Sequence, residues 1–359
     1  MKRFIALALV LALFALLPAC ASQTAPAEPA DQAAEEPVQD AAPAEPTEEA
    51  EEIRITYGLS QSEAHLGSQA SIYFADYITE RDPSIQFDIY FDSQLGDEAT
   101  MLQSLMTGSI DMMGVSFSTL SASVPEMNIM SLPFFFGSPE NFCKVMRDET
   151  FFNMCSGLID ESMGIHPVGV LGVFVRSIAN TEHTVRTPED VEGLKIRVMA
   201  NQLYVDVFET LGASTVTLAF PEVFSGLQQG VVQGEDTGLE TMVSNRYYEV
   251  EKYYSEVDYL YTGGYECCSD QLWNKLSDDQ KALFIEAANA ANDYFMSLRD
   301  EAYQGYVDTV TEAGVEIYSP TEEELTLFRD ALQPIIEKYA FVSDDSTELY
   351  NIACEVLGY

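Results

Sequence analysis

Strand and helix signals alternate along the middle of this chain, and this order restricts its fold more than any other feature. Residues 53–58 and 85–91 alternate apolar and polar side chains, the pattern of a strand with one buried face. Residues 66–78 and 96–107 instead repeat apolar side chains at helical spacing. Such alternation is typical of a mainly parallel α/β architecture rather than of a β-sandwich or a helical bundle.

The same alternation resumes in the second half of the chain. We predict, in order, a strand, a helix, a strand and a helix, at residues 194–199, 203–210, 214–218 and 221–229. The C-terminal part is more helical, with long amphipathic runs at 280–298 and 322–338. Ser277 and Thr321 are placed to cap the N-termini of these two helices.

The first twenty residues have the layout of a secretory signal. Lys2 and Arg3 precede an apolar stretch at residues 4–17, which is too short for a stable spanning helix. Small residues flank Cys20 in a way that resembles the lipobox of bacterial lipoproteins; an ordinary cleaved signal is the alternative. We therefore predict a signal peptide at residues 1–19 and lipidation of Cys20, with two or more acyl chains giving a durable membrane anchor.

Residues 20–52 are predicted to form a lipidated N-terminus followed by an extended tether. After Cys20 this segment is almost entirely Ala, Pro, Glu, Gln, Asp and Thr, without Lys, Arg or aromatic residues. Such a composition cannot bury enough apolar surface to offset the entropy lost on ordering. Its prolines and mutually repelling carboxylates favour extended conformations that hold the globular part away from the membrane.

The charge of the chain is strongly negative. Asp and Glu number 59 against 17 Lys and Arg, which gives a formal net charge of −42. Nucleic acids and anionic lipid headgroups require basic patches, so neither is an expected partner. An anionic small molecule is not excluded, because a few arginines concentrated in a cleft can still bind it.

The cysteines indicate neither a disulfide framework nor a zinc site. Five remain after Cys20, an odd number, and they form no CxxC or Cys/His ligand spacing. Cys143 and Cys155 are either a disulfide pair or small buried thiols. For the adjacent Cys267 and Cys268, core packing is favoured over a strained vicinal disulfide. No cofactor or metal is expected.

Four short sequence stretches, spread over most of the globular part, together form a recognisable pattern. They are Gln94-Leu95-Gly96-Asp97-Glu98; Val124-Pro125-Glu126 with Leu132-Pro133-Phe134-Phe135-Phe136; Thr187-Pro188-Glu189-Asp190 with Gly193-Leu194-Lys195-Ile196-Arg197-Val198; and Ala219-Phe220-Pro221-Glu222-Val223-Phe224. Together they resemble the solute-binding subunit (DctP-like family) of tripartite ATP-independent periplasmic (TRAP) transporters.

This resemblance implies an α/β fold of two lobes, like that of periplasmic binding proteins, with the ligand cleft between them. One lobe would comprise residues 53–174 plus about 262–302, and the other residues 175–261 plus about 303–359. The implied function is extracytoplasmic capture of a small organic acid and its delivery to the integral membrane subunits of a TRAP transporter. The chain would not be an enzyme, and the lipid anchor would hold it at the cell membrane.

Arg197 is the main candidate for ligand binding. In the strand at residues 193–199, Leu194, Ile196 and Val198 share one face and Lys195 and Arg197 the other. On residue type alone, Arg197 could be a solvated surface arginine. The resemblance implies that it grips the ligand carboxylate, whose two oxygens match the planar, permanently charged guanidinium fork.

The resemblance implies five further ligand-binding residues. Arg176, 21 residues before Arg197, matches a second arginine near the ligand, and Phe220 matches an aromatic residue that packs on it. Ser60 and Ser116 follow strands, where α/β loops usually contact ligands. Thr237 departs from the family pattern, since relatives often carry an amide there, so the hydrogen bonds offered to the ligand must differ.

Two other function classes remain open at this level. The chain could be a binding protein of another transporter class or of a chemoreceptor, since the sequence of one subunit does not name its partner. A secreted enzyme is less well supported. His65, His166 and His183 are isolated, and there is no Gly-x-Ser-x-Gly, phosphate-loop or HExxH motif.

Overall fold

The computed structural model describes residues 52–170 and 172–359. Strands within these ranges are β1 (Ile53–Gly58), β2 (Ile85–Tyr90), β3 (Met112–Ser116), β4 (Ile165–Val170), β5 (Phe174–Asn180), β6 (Lys195–Val198), β7 (Ser214–Thr217), β8 (Gly234–Thr237), β9 (Tyr253–Thr262), β10 (Gly264–Ser269) and β11 (Glu316–Tyr318).

The α-helices of the same ranges are α1 (Leu66–Arg81), α2 (Glu98–Met106), α3 (Phe117–Ser123), α4 (Pro139–Met146), α5 (Glu149–Met163), α6 (Gln202–Thr210), α7 (Val223–Gln228), α8 (Leu239–Ser244), α9 (Asp270–Trp273), α10 (Asp278–Glu312), α11 (Glu322–Ala340) and α12 (Asp344–Leu357). Short 3₁₀ turns occupy Pro125–Ser131, Pro188–Val191, Phe220–Glu222 and Tyr247–Glu249.

The strands form two sheets, each the centre of one lobe. The first sheet has the order β2-β1-β3-β10-β4 and the second the order β11-β9-β5-β8-β6-β7. In the first lobe, Phe74 of α1 meets Phe284 of α10 edge to face at 5.7 Å, beside the fully buried Tyr57 of β1. The second lobe has its own apolar cluster, which includes Ala179, Val223 and Met242. The α/β, two-lobed fold predicted from the sequence is thereby confirmed.

The strand directions agree only in part with the mainly parallel arrangement that we predicted, since five of the nine strand pairings among the described residues are parallel and four are antiparallel. β1 is parallel to β2 and β3, but β10 runs antiparallel to both β3 and β4. In the second sheet, β5 is likewise antiparallel to β8 and β9. The reason is the chain path: β5 follows β4 into the other sheet, and β10 returns from β9, so each crossing strand enters its sheet from the opposite end.

Long-range packing also sets the course of the C-terminal helices. α10 continues to Glu312, past its predicted end at residue 298, because its second half packs on α8 and buries Val310 in the second lobe. α12 lies within the segment predicted for the second lobe, yet it packs on α4 and α5 of the first lobe, with Tyr350 stacked on Phe135 at 5.0 Å. Its amphipathic pattern predicts an apolar face but does not identify the surface that this face covers.

The predicted helix caps are confirmed. Ser277 Oγ accepts a hydrogen bond from the Gln280 amide at 3.2 Å, and the Gln280 side chain accepts one from the Ser277 amide at 3.0 Å. Thr321 and Glu324 form the same reciprocal box at the start of α11. Each box satisfies two amides that the first helical turn leaves without partners.

All five cysteines of the described ranges are free thiols. Cys143, Cys155, Cys267 and Cys268 are buried, and Cys354 is partly exposed. Cys267 and Cys268 follow one another on β10, where neighbouring side chains point to opposite faces of the sheet, so each packs in a different layer. The preference for core packing at this pair is confirmed.

The predicted signal peptide, Cys20 and nearly all of the tether at 20–52 lie outside the described residues. Among the helices that the structure does describe, none combines the length and apolar character needed to cross a membrane.

Candidate ligand-binding cleft

A cavity of about 310 Å³ lies between the two lobes. Its wall is made from strands of both sheets, the loops that follow them, and the N-terminal parts of α1, α2, α3 and α8. The six residues predicted to bind ligand come together here from six separate segments of the chain: Ser60, Ser116, Arg176, Arg197, Phe220 and Thr237. A volume of this size matches a small organic molecule.

Arg197 is buried on β6 with one edge of its guanidinium fixed. Nε and Nη2 both donate to the Leu218 carbonyl, at 3.1 and 2.9 Å. Nη1 lies 3.7 Å from Glu235 Oε2, too far for a strong hydrogen bond. Nη1 and the second proton of Nη2 therefore remain available, and they form the pair of parallel donors that a carboxylate accepts. The side chain is 5% exposed, so this is not a solvated surface arginine.

Arg176 is committed to a neighbouring carboxylate. Its Nε donates to Asp236 Oδ2 at 2.7 Å, and its Nη2 donates to the Asp236 carbonyl oxygen. Asp236 is fully buried and also accepts from the Tyr259 hydroxyl at 2.7 Å. Arg176 thus lines the cavity as one half of a neutral pair. Arg197 lies two strand pairings away, on β6, with β8 between it and β5, and it carries the more available positive charge.

The other predicted residues differ in whether their side chains already form hydrogen bonds within the protein. Ser60 Oγ is buried and has no hydrogen-bond partner among the described residues. Ser116 Oγ instead caps α3 by accepting from the Thr119 amide at 3.2 Å. Phe220 opens a 3₁₀ turn at the mouth of the cleft, and Thr237 is 1% exposed at the end of β8.

Sequence reasoning missed the acidic side chains of the wall. Asp97, Glu98, Glu235, Glu240 and Glu266 all line the cavity. Burial is the main cause that raises the pKa of Glu235, Glu240 and Glu266 to about 7 each. A signal was present for Glu266, which is a lone acid within the otherwise apolar strand Tyr265-Glu266-Cys267-Cys268.

A second carboxylate lies behind Glu235. Glu251 is fully buried, and neither of its carboxylate oxygens has a hydrogen-bond partner among the described residues. Burial, with a smaller contribution from the Glu235 charge, raises its pKa well above the ordinary range. Of these two carboxylates, Glu235 is the one that lies beside the Arg197 guanidinium.

His65 lies on the first-lobe wall as a structural residue. Its Nδ1 accepts from the Gly67 amide at 3.1 Å and caps α1, and its ring lies 5.4 Å from that of Phe174. Burial lowers its pKa to about 4, so it is neutral at pH 7. It adds no positive charge to the cavity.

Comparisons with known proteins agree on one family. The family model described as bacterial extracellular solute-binding protein, family 7, matches residues 58–341. A solute-binding protein of Chromohalobacter salexigens is 30% identical over 284 residues, which cover 79% of this chain and 82% of the relative. Two crystal structures of TRAP periplasmic solute-binding proteins each have a TM-score of 0.78 and 27% identity.

The first of these structures, from Sulfitobacter sp. NAS-14.1, contains β-D-galacturonate and is matched over 84% of this chain and 99% of its own. The second, also from Chromohalobacter salexigens, contains D-glucuronate and is matched over 85% and 99%. The similarity thus covers nearly the whole of both proteins and 84 to 85% of the present chain.

Proposed function

The chain belongs to family 7 of the bacterial extracellular solute-binding proteins, and on this premise we propose that it captures a small organic acid between its lobes and delivers it to a TRAP-type membrane transporter. The chain is a binding protein of an extracytoplasmic family, and catalysis is no part of this role. The TRAP proteins that it resembles over nearly their full length contain uronic acids, which are sugars with one carboxylate.

The observation that carries the proposal is the geometry of Arg197. It is buried at the cavity, held by the Leu218 carbonyl, and has two parallel donors without partners among the described residues. A ligand carboxylate would accept hydrogen bonds from both donors. Its negative charge would also balance the guanidinium, whose nearest acidic neighbour is otherwise Glu235 at 3.7 Å. Arg176, Phe220, Thr237, Ser116 and Ser60 complete the proposed contact set.

Lipid anchoring at Cys20 is part of the same proposal. Its support is the lipobox-like sequence together with membership of a family whose partner is a membrane transporter. An anchor on an acidic tether would keep the carrier close to that partner. Mass spectrometry of the protein isolated from membranes should find the mature N-terminus at Cys20 with a diacylglyceryl group, and a Cys20→Ser variant should lose it; an unmodified N-terminus would contradict the anchor.

A thermal-shift screen over organic acids tests the function. A ligand that binds only the folded state raises the melting temperature by mass action, so the native acid should give the largest shift. Mass spectrometry of the mixture recovered after incubation should find the acid chemically unchanged. Calorimetric titration should find one acid bound per chain. A screen in which no carboxylate raises the melting temperature, or in which the acid is converted, would contradict the proposal.

A further inference from the structure

Glu266 places a buried carboxylate on the first-lobe wall, across the cleft from Arg197. It lies on β10 opposite Gly114 of β3 and is 4% exposed. Gly114 leaves room for it, since a Cβ at that position would lie 3.0 Å from Glu266 Oε1. Both residues line the cavity, and the sheet therefore presents this carboxylate to whatever occupies the cleft.

The hydrogen-bonding capacity of Glu266 is only partly used. Oε1 accepts from the Ser71 hydroxyl at 3.4 Å, a long contact, and the buried Tyr57 hydroxyl lies close enough to lower the pKa of Glu266. Oε2 has no well-formed hydrogen bond among the described residues. A carboxylate offers about four acceptor positions. Leaving a buried carboxylate without donors is costly, so a donor from the ligand would be strongly favoured here.

The charge of the wall determines what kind of group can approach Glu266. Five carboxylate side chains line the cavity, against two arginines, of which Arg176 is paired with Asp236. Arg197 can balance one ligand carboxylate. A second carboxylate at the opposite end of the ligand would face Glu266 as a like charge in a poorly solvated site, which costs binding energy.

We propose that Glu266 is a hydrogen-bond-accepting subsite opposite Arg197, and that the ligand is a polyhydroxylated monocarboxylic acid whose hydroxyl groups donate to Glu266 while its carboxylate binds Arg197. This inference rests on the proposed function and narrows its ligand class. Arg197 selects for a carboxylate, and Glu266 selects against a second carboxylate on the same ligand.

Hydroxyl groups fit this wall better than a single ammonium group does. The acceptors and hydroxyls on the first lobe are spread over several positions, including Ser60 Oγ, which is buried without a partner, Glu98 and Glu266. A polyol carries hydroxyl donors on several carbons, so it can form hydrogen bonds with several of these wall groups at once. One ammonium group would satisfy a single point of the wall and leave the others without donors.

Matched acids test the subsite on the wild-type protein. Calorimetry at about pH 8, above the pKa of Glu266 of about 7, should compare D-glucuronate with D-glucarate and D-galacturonate with D-galactarate, in which C1 is oxidised to a second carboxylate. Because this oxidation also opens the sugar ring, D-gluconate, an open-chain acid with one carboxylate, is the control and should bind more tightly than D-glucarate. We expect at least one uronate to bind at least about tenfold more tightly than its diacid. Equal or tighter binding of the diacids would overturn the subsite. Tighter binding of 2-amino-2-deoxy-D-glucuronate than of D-glucuronate would overturn the assignment to hydroxyl groups.

The isosteric variant Glu266→Gln tests the residue itself. Its amide still accepts but carries no charge, so uronate affinity should fall about tenfold, whereas affinity for the diacids should rise because the amide also donates. A merely structural role would weaken both classes together. Glu161→Gln, at an exposed position on α5 outside the cleft, is the control and should change neither affinity.

The two levels of the proposal fail in different ways. If no acid bound, the proposed function would fail and the subsite with it. If uronates and diacids bound equally and both required Arg197, the function would stand and only the subsite would be wrong.

Discussion

Residues at the cleft combine two arginines with five acids, of which Glu235 and Glu266 are buried. The position of Arg197 on the cleft wall was predictable because its motif and strand position are local features of the sequence. Glu266 was missed because its importance depends on Gly114, more than 150 residues away, which leaves space in front of it. The role predicted for Ser116 is also modified by context, since its hydroxyl already caps α3.

The raised pKa values of Glu235, Glu240 and Glu266 predict a pH-dependent stability of the ligand-free protein. All three values rise from 4.5 to about 7, chiefly through burial. The folded state therefore holds protons that the unfolded state has lost, and the resulting stabilisation disappears as the pH rises through about 7. His65, whose pKa is lowered to about 4, acts in the opposite direction only below about pH 6.5.

Between about pH 6.5 and about pH 8, the free energy of unfolding should thus fall by about 2 kcal/mol. Calorimetric or fluorescence-detected melting across this range measures it. Glu266→Gln should make the dependence shallower but not abolish it, because the amide does not titrate while Glu235 and Glu240 still do. Glu161→Gln should leave the dependence intact. An equally steep dependence in Glu266→Gln would show that the decrease arises elsewhere.

At the scale of elements, local sequence patterns were sufficient to predict the regular helices and strands. They were insufficient to predict how the chain crosses between the two sheets. The periodic runs at β1, α1, β6 and α6 and the caps of α10 and α11 follow from neighbouring residues. The antiparallel placement of β5 and β10 and the docking of α12 on the first lobe follow from contacts between distant parts of the chain. No local pattern encodes which surface an amphipathic helix will cover.

The crossing between β9 and β10 depends on close backbone approach at Gly263. A Cβ at Gly263 would lie 2.6 Å from the Gly172 carbonyl oxygen, a backbone atom of the other crossing that cannot move aside independently. We expect Gly263→Ala to lower the free energy of unfolding by about 2 kcal/mol. Chemical denaturation monitored by circular dichroism would measure the change.

Gly157 provides the matched control for this substitution. It lies within α5, and a Cβ there would meet no atom within 4 Å. Gly157→Ala should therefore stabilise the protein by about 0.5 to 1 kcal/mol through helix propensity. If both alanine variants changed stability in the same direction, the account of the crossing would be wrong.

For the whole molecule, the arrangement predicts a hinge motion coupled to binding. Arg197 stands on one lobe and Glu266 on the other, so a ligand that contacts both favours the closed over the open form by its differential affinity. Small-angle X-ray scattering with a saturating uronate should show a smaller radius of gyration than without it. Arg197→Ala at the same ligand concentration is the control, and its radius of gyration should not decrease. An unchanged radius of gyration for the wild type would contradict closure.

Calorimetric titration of the acid selected by the screen into wild-type protein and Arg197 variants tests the central claim most directly. Arg197→Ala should weaken binding at least about a hundredfold, and Arg197→Lys should weaken it substantially, because an ammonium group cannot supply two parallel donors. Lys195→Ala, at an exposed position on the same strand, should bind like the wild type. Unchanged affinity in Arg197→Ala or Arg197→Lys would show that the cleft does not hold its ligand by this carboxylate clamp.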